Sequence, residues 1–290
     1  MRIFSLDSEN RASPLRDSQK LARRGFDAPV VALPNNIWHF ADALCETALP
    51  VVQQYFRAVN LQVEQKADVS PVTLADQAIE RLWRELIADT YPEHGIIGEE
   101  EGSVGEDRDF VWVLDPIDGT RAFIGGFPMF TNLFALLYQG RPVFSGINVP
   151  VTQECWLGTV ADGGQATFNG EILSERPTRP LAQSVLSATA PDMFTTEQFE
   201  RFSTLRRGCM DLRYGADAYA YGLVALGSVG VVAEASMKPW DFMALIPVIE
   251  GAGGKVTDWS GQPLTLDSDG TVLAAATPEL HGEALALLKA

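Results

Sequence analysis

From Asn36 onward the apolar residues fall into step with an α-helix. Ile37, Phe40, Ala41, Leu44, Ala48 and Val51 recur at three- and four-residue steps, which lines one helical face. A second such run extends from about Leu74 to Thr90, with Ala75, Ile79, Leu82, Leu86 and Ile87 on its apolar side. Thr73 precedes it and Asp76 follows three residues later, which resembles a capping box with Asp in place of Glu.

The pattern then shortens. Gly95–Gly98 and Phe110–Leu114 read as buried strands that end in acidic residues. Phe130–Tyr138 and Pro142–Asn148 read as a meander turned at Gln139-Gly140, and Asn169-Gly170 marks a two-residue hairpin. Beyond about residue 183, strand-like stretches (Ser184–Ala188, Val229–Ala235, Gly254–Thr257) alternate with helical ones (Thr196–Leu205, Ala216–Leu226, Asp241–Gly251). Such alternation predicts a parallel or mixed sheet. Residues 1–34 carry scattered arginines without periodicity and predict a flexible N-terminal arm; Asp7, Glu9 and Asp17 count against a transit peptide. The chain thus divides into that arm, an α+β part over 35–182 and an α/β part over 183–290.

Charge narrows the partners. A formal net charge of −16 repels nucleic acid and anionic lipid, so neither is an expected partner. No apolar run approaches the roughly 20 residues of a membrane helix. The first residues hold no apolar stretch of secretory type, and a cytoplasmic protein is expected. Cys45, Cys155 and Cys209 form no CxxC pair and read as buried thiols rather than a disulfide framework or zinc knuckle. With only His39, His94 and His281, and no GxSxG elbow, nothing suggests a Ser-His-Asp triad. Polar chemistry here must rest on carboxylates.

Those carboxylates gather at the ends of apolar segments: Gly98-Glu99-Glu100-Glu101-Gly102, Asp115-Pro116-Ile117-Asp118-Gly119-Thr120, and Trp240-Asp241. Pro116 biases Asp115 away from helical geometry, which predicts that the strand stops there. Gly119 permits a positive φ, so a tight turn is expected to aim Asp115 and Asp118 the same way. Two aspartates so placed repel unless a cation sits between them, and the Ile117 carbonyl could add a third oxygen. Oxygen-only donors suit magnesium, whereas zinc would usually recruit His or Cys. Thr120–Phe123 could open a short helix whose amides bind a phosphate oxygen. Taken alone, Glu100 and Glu101 read as a solvated face and DPxDG as a surface turn; the joint occurrence argues for a site.

At DPIDGT the chain resembles the inositol monophosphatase family of metal-dependent, lithium-sensitive phosphatases, over roughly Asn36 to Ala290. The order Thr73-x-x-Asp76, Gly98-Glu99-Glu100, Asp115–Thr120, Trp240-Asp241 and Gly251-Ala252-Gly253-Gly254 is the family's. The resemblance implies a layered αβαβα sandwich, a homodimer, and two or three Mg2+ per site. It implies Glu99, Asp115 and the Ile117 carbonyl as ligands of a first metal, and Asp115, Asp118 and Asp241 as ligands of a second. It implies Asp76 as an outer carboxylate, Thr120 as the hydroxyl that orients the attacking water with Glu99, and the Gly119 and Thr120 amides as the phosphate cradle.

Within the family, Lys66–Thr73, Asp118–Ile124, Tyr214–Tyr221 and Lys238–Pro247 are most similar to the bacterial histidinol-phosphatase branch, and Arg121-Ala122-Phe123 stands where inositol phosphatases usually read Thr-Asn-Phe. Gly230 departs from a position often acidic in that branch, and Phe127–Phe130 matches only approximately. Asp217 and Glu234 are expected to face the leaving group. Two carboxylates there suit a cationic substrate, L-histidinol phosphate, better than a neutral polyol. Inositol 1-phosphate and 3′-phosphoadenosine 5′-phosphate remain alternatives, as does a non-catalytic metal-binding scaffold.

Overall fold

A computed structural model describes residues 31–59, 63–65, 71–174, 177 and 179–290. The predicted arm up to residue 30, and the Lys66–Ser70 part of the resemblance, lie outside the described residues.

Helix α1 (Ile37–Tyr55) buries Ile37, Phe40, Ala41, Leu44, Ala48 and Val52. A short ribbon, β1 (Val63–Gln65) against β2 (Pro71–Thr73), leads into α2 (Leu74–Thr90). The capping box predicted at Thr73 and Asp76 forms. The inward face of α2 differs from expectation. Leu82 is exposed, and Asp76, Glu80 and Trp83 are buried beside Ala75, Ile79 and Ile87. Trp83 wins the inward position because its ring fills more of the core while its indole N–H donates to the Leu44 carbonyl at 2.8 Å.

Next come β3 (Gly95–Gly98), β4 (Gly102–Val104), β5 (Phe110–Asp118), α3 (Thr120–Gly125), β6 (Thr131–Tyr138), β7 (Arg141–Val149), β8 (Glu154–Thr159), β9 (Gln165–Phe168) and β10 (Glu171–Ile172). They build an eight-stranded sheet in the order β10-β9-β8-β7-β6-β5-β3-β4, parallel only between β3 and β5. The hairpin at Asn169-Gly170 turns as predicted, both residues with positive φ. The remainder comprises β11 (Val185–Ala188), α4 (Thr196–Gly208), β12 (Asp211–Tyr214), α5 (Tyr219–Ala225), β13 (Val231–Glu234), α6 (Pro239–Phe242), α7 (Leu245–Gly251), β14 (Lys255–Thr257), β15 (Val272–Ala275) and α8 (Pro278–Leu288). Its sheet, β12-β11-β13-β15-β14, is mixed. The single helix expected over Asp241–Gly251 is two. Pro247 has no N–H to give the Met243 carbonyl, and the chain breaks between Phe242 and Leu245.

The cores follow from strand alternation. Trp112 and Leu114 of β5 face α1 and α2, whereas Val111 and Val113 face α5, α7 and the second sheet. On the second sheet Val232, Val272 and Ala274 face that shared middle layer, and Val231, Ala233, Leu273 and Ala275 face α4 and α8. Helices, sheet, helices, sheet and helices therefore stack as the expected αβαβα sandwich. No helix among the described residues is long and apolar enough to cross a membrane.

Candidate active site

β5 does not stop at Asp115. It continues to Asp118, and its pairing with β6 steps from Asp115↔Leu133 to Asp118↔Thr131. Three residues on β5 thus span two on β6, the signature of a bulge, where a proline is also tolerated. The consequence is chemical. In a regular strand, residues three apart point to opposite faces. The extra residue cancels that alternation, so Asp115 and Asp118 converge as expected, by a bulge rather than a turn. Buried amides brace the distortion: Asn132 Nδ2 donates to the Pro116 carbonyl at 2.5 Å, and Asn148 Nδ2 donates to Asn132 Oδ1 at 2.8 Å.

Asp241 arrives from α6. Its carboxylate caps that helix, accepting the Lys238 amide at 2.7 Å. One ligand oxygen each of Asp115, Asp118 and Asp241 lies within 4.8 Å of the others. Glu99 stands close enough to raise the pKa of Asp115, Asp241 and Asp76 by its charge. Asp118 Oδ2 accepts from Thr131 Oγ1 at 3.1 Å and from the Ala218 amide at 2.8 Å, a bond to a residue 100 positions away. Gly119 takes φ 82°, and α3 opens immediately after it; the first amides of a helix have no intrahelical acceptor. Thr120 Oγ1 donates to the Ile117 carbonyl at 3.1 Å, so its own lone pairs remain for a water proton. Asp217, at φ 44°, borders the turn: a Cβ built on Gly119 would stand 3.0 Å from its carboxyl. Glu234 is buried with both oxygens engaged, by the Thr189 amide at 2.5 Å and the Tyr221 hydroxyl at 2.8 Å.

The electrostatics are those of a crowded carboxylate cluster. Burial first, then the neighbouring carboxylates, raise Asp115 and Asp118 well above the ordinary range. Burial pushes Asp76 and Asp217 up to about 6, and Asp241 and Glu234 up to about 7. Asp76 Oδ2 accepts from the Thr73 amide and hydroxyl, but Asp76 Oδ1 and Asp115 Oδ1 are buried with no hydrogen-bond partner among the described residues. Orphaned carboxylate oxygens among convergent carboxylates fit a hard divalent cation, which takes oxygen ligands.

A pH dependence of stability follows. An acid whose folded pKa lies above its unfolded value binds its proton more tightly when folded. Its stabilisation is present below the unfolded value, near 4, and is lost as pH rises through 6 to 7. The metal-free protein is expected to melt at a higher temperature at pH 5 than at pH 8, and magnesium to raise the value most at pH 8. Thermal unfolding in EDTA measures this; a melting temperature that climbs from pH 5 to 8 contradicts it.

Sequence reasoning missed several supports of the site, Asn132 and Asn148 among them. Thr131 and Tyr221 carry no local signal, since Thr131 meets Asp118 across paired strands and Tyr221 meets Glu234 where α5 packs on the second sheet. Glu80 and Arg84 did carry one: a charged residue on the apolar face of α2, with an arginine four residues on. As for Gly230, a Cβ there would collide with Ser184, so local packing requires the glycine.

The site's parts come from β3, β5, α2, α3, α5, β13 and α6, so a likeness confined to one motif would not account for them. The likeness found spans the whole sandwich. Residues 34–290 match the model of the inositol monophosphatase family. The chain is 41% identical over 257 residues to the bifunctional phosphatase IMPL2, chloroplastic, of Arabidopsis thaliana, covering 86% of this chain and 73% of that protein. It is 32% identical to the histidinol-phosphatase of Mycobacterium tuberculosis, covering 86% and 96%. An inositol monophosphatase structure from Zymomonas mobilis superposes with a TM-score of 0.80 at 40% identity, covering 90% of this chain and all of that one. Motif order, layered fold and full-length likeness agree, and the chain belongs to the inositol monophosphatase family of phosphatases.

Proposed function

We propose that this protein is a Mg2+-dependent phosphomonoesterase whose substrate is a cationic alcohol phosphate, L-histidinol phosphate. The observation that carries the substrate is the half-buried Asp217, whose carboxyl borders the Gly119 turn, with the buried Glu234 near enough to act on it by charge. Asp217 raises the pKa of Glu234, and both raise that of Asp118, so a cationic group brought among them would favour their ionised forms. An ammonium or imidazolium is attracted there; a neutral polyol gains only hydrogen bonds. The histidinol-phosphatase relative supports the same reading.

Glu99, Asp115, the Ile117 carbonyl, Asp118 and Asp241 would hold two or three Mg2+, which when bound supply charge neutralisation and Lewis acidity. The Gly119 and Thr120 amides hold a phosphate oxygen. The Thr120 hydroxyl, its proton committed to Ile117, accepts from the attacking water, and Glu99 completes its orientation. Water attacks phosphorus in line, the bond from phosphorus to the alcohol oxygen breaks, a proton from the water ends on that oxygen, and Asp217 holds the cationic end of the leaving alcohol. Phosphate release from histidinol phosphate, inositol 1-phosphate and 3′-phosphoadenosine 5′-phosphate tests the assignment. The highest kcat/KM on inositol 1-phosphate, the reading favoured by the Zymomonas likeness, would replace it.

Asp217→Asn keeps the shape and removes the charge. A charge-assisted hydrogen bond is worth roughly 1.5–3 kcal/mol, so kcat/KM for histidinol phosphate is expected to fall about tenfold or more. Glycerol 2-phosphate never used that charge and is expected to lose far less. Equal losses on both esters would assign Asp217 to the fold or the metal site instead.

A further inference from the structure

β3 pairs with β5 only as far as Gly98↔Leu114, and the Glu99 amide makes one more bond, to the Leu114 carbonyl at 3.2 Å. The sheet ladder then ends, one residue before the carboxylates on β5. What holds the chain beyond is a side chain of α2. Glu80 is fully buried. Its Oε2 accepts the Glu100 amide at 2.8 Å and its Oε1 accepts the Glu101 amide at 3.0 Å. Arg84 grips the same carboxylate with Nε at 2.8 Å and Nη2 at 2.7 Å, and Nη2 also donates to the Gly102 carbonyl. The pair thereby closes the turn on both sides.

Gly98 belongs to this device. A Cβ there would collide with the Glu80 carboxylate and Arg84 Nη2, so the glycine before Glu99 is the gap through which Glu80 reaches the turn. Arg81 meets the Glu101 side chain at 2.7 Å on the exposed rim. Burying an ion pair costs desolvation that its attraction barely offsets, so stability alone is a weak reason to keep this one.

We propose that Glu80, gripped by Arg84, is a positioning residue that presents the Glu99 carboxylate to the cation site by anchoring the Glu100 and Glu101 amides. The inference rests on the reading of Glu99 as a ligand. Groups that orient a metal ligand typically contribute ten- to hundredfold to metal affinity. Glu80→Gln keeps the volume but turns one acceptor into a donor facing a backbone N–H and takes the counter-charge from Arg84.

The test is Mn2+ binding to the full chain, followed by electron paramagnetic resonance of free Mn2+ at a temperature where circular dichroism shows each variant folded. A merely structural residue would lower the melting temperature and leave the Mn2+ dissociation constant of the folded protein alone. Glu80→Gln is expected to raise that constant about tenfold. Gly98→Ala, which displaces the Glu80 carboxylate, is expected to do the same, and Arg81→Ala to leave it unchanged. Should Glu80→Gln fail to fold, Gly98→Ala and Arg84→Lys are measured against the same threshold. A constant within about twofold of wild type in the folded variants, with Glu99→Gln itself weakened, overturns the positioning role alone. An unchanged constant in Glu99→Gln overturns the ligand reading beneath it.

Discussion

Chelation with EDTA is expected to take phosphate release to background, and added Mg2+ to restore it. Asp115, Asp118 and Asp241 bring ligand oxygens within 4.8 Å of one another, with Glu99 acting on two of them. Two unit charges about 5 Å apart repel by about 3 kcal/mol at an effective dielectric constant near 20. Without a cation, burial first and this repulsion second raise the pKa values of the cluster and favour its protonated forms. In that state it presents hydroxyls where the reaction needs anions that bind a cation. The Gly119 and Thr120 amides alone cannot neutralise a phosphate dianion. The loss is expected to exceed about a thousandfold, or about 4 kcal/mol of barrier. Full turnover in a preparation shown by elemental analysis to be metal-free would end the metal-dependent reading.

Asp118→Asn is the second large effect. The Thr131 hydroxyl and the Ala218 amide both donate to Asp118 Oδ2. The asparagine carbonyl oxygen must stay with them, which turns the amide nitrogen, a donor, toward the cation. The fold keeps its bridge and the site loses a ligand. Turnover is expected to fall well beyond tenfold, and a variant retaining more than about a tenth of wild-type kcat, a change under 1.4 kcal/mol, would refute the assignment. Stability moves the other way. Burial and the charges of Asp217 and Asp241 disfavour ionised Asp118, so removing its charge is expected to raise the melting temperature of the metal-free protein at pH 8. Activity lost and apo stability gained together separate a ligand from a residue that merely holds the fold.

What could be read along the chain was what depends on near neighbours. The periodicity of α1 and α2 is a property of one face. The Thr73–Asp76 cap closes within four residues, and Asn169-Gly170 needs only two residues that accept positive φ. The DPIDGT stretch announced its chemistry for the same reason: proline, glycine and two aspartates constrain one another locally. Its family resemblance extended that local signal to Glu99, Asp76 and Asp241. Tertiary structure decided the rest. Whether β5 ends at Asp115 or bulges to Asp118 depends on β6 and on Asn132 and Asn148, because a bulge is a mismatch between two strands and does not exist in one. Leu82 and Trp83 compete for one inward position of α2, and the space beside Leu44 selects the larger ring. Pro247, by contrast, is a local signal that apolar periodicity alone passes over, and it splits the helix. The buried role of Glu80 depends on Gly98 leaving room for it. Residue types and their local spacing name the candidate ligands; only packing across the two sheets makes their charges share one volume and fixes which of their oxygens are left over for a cation.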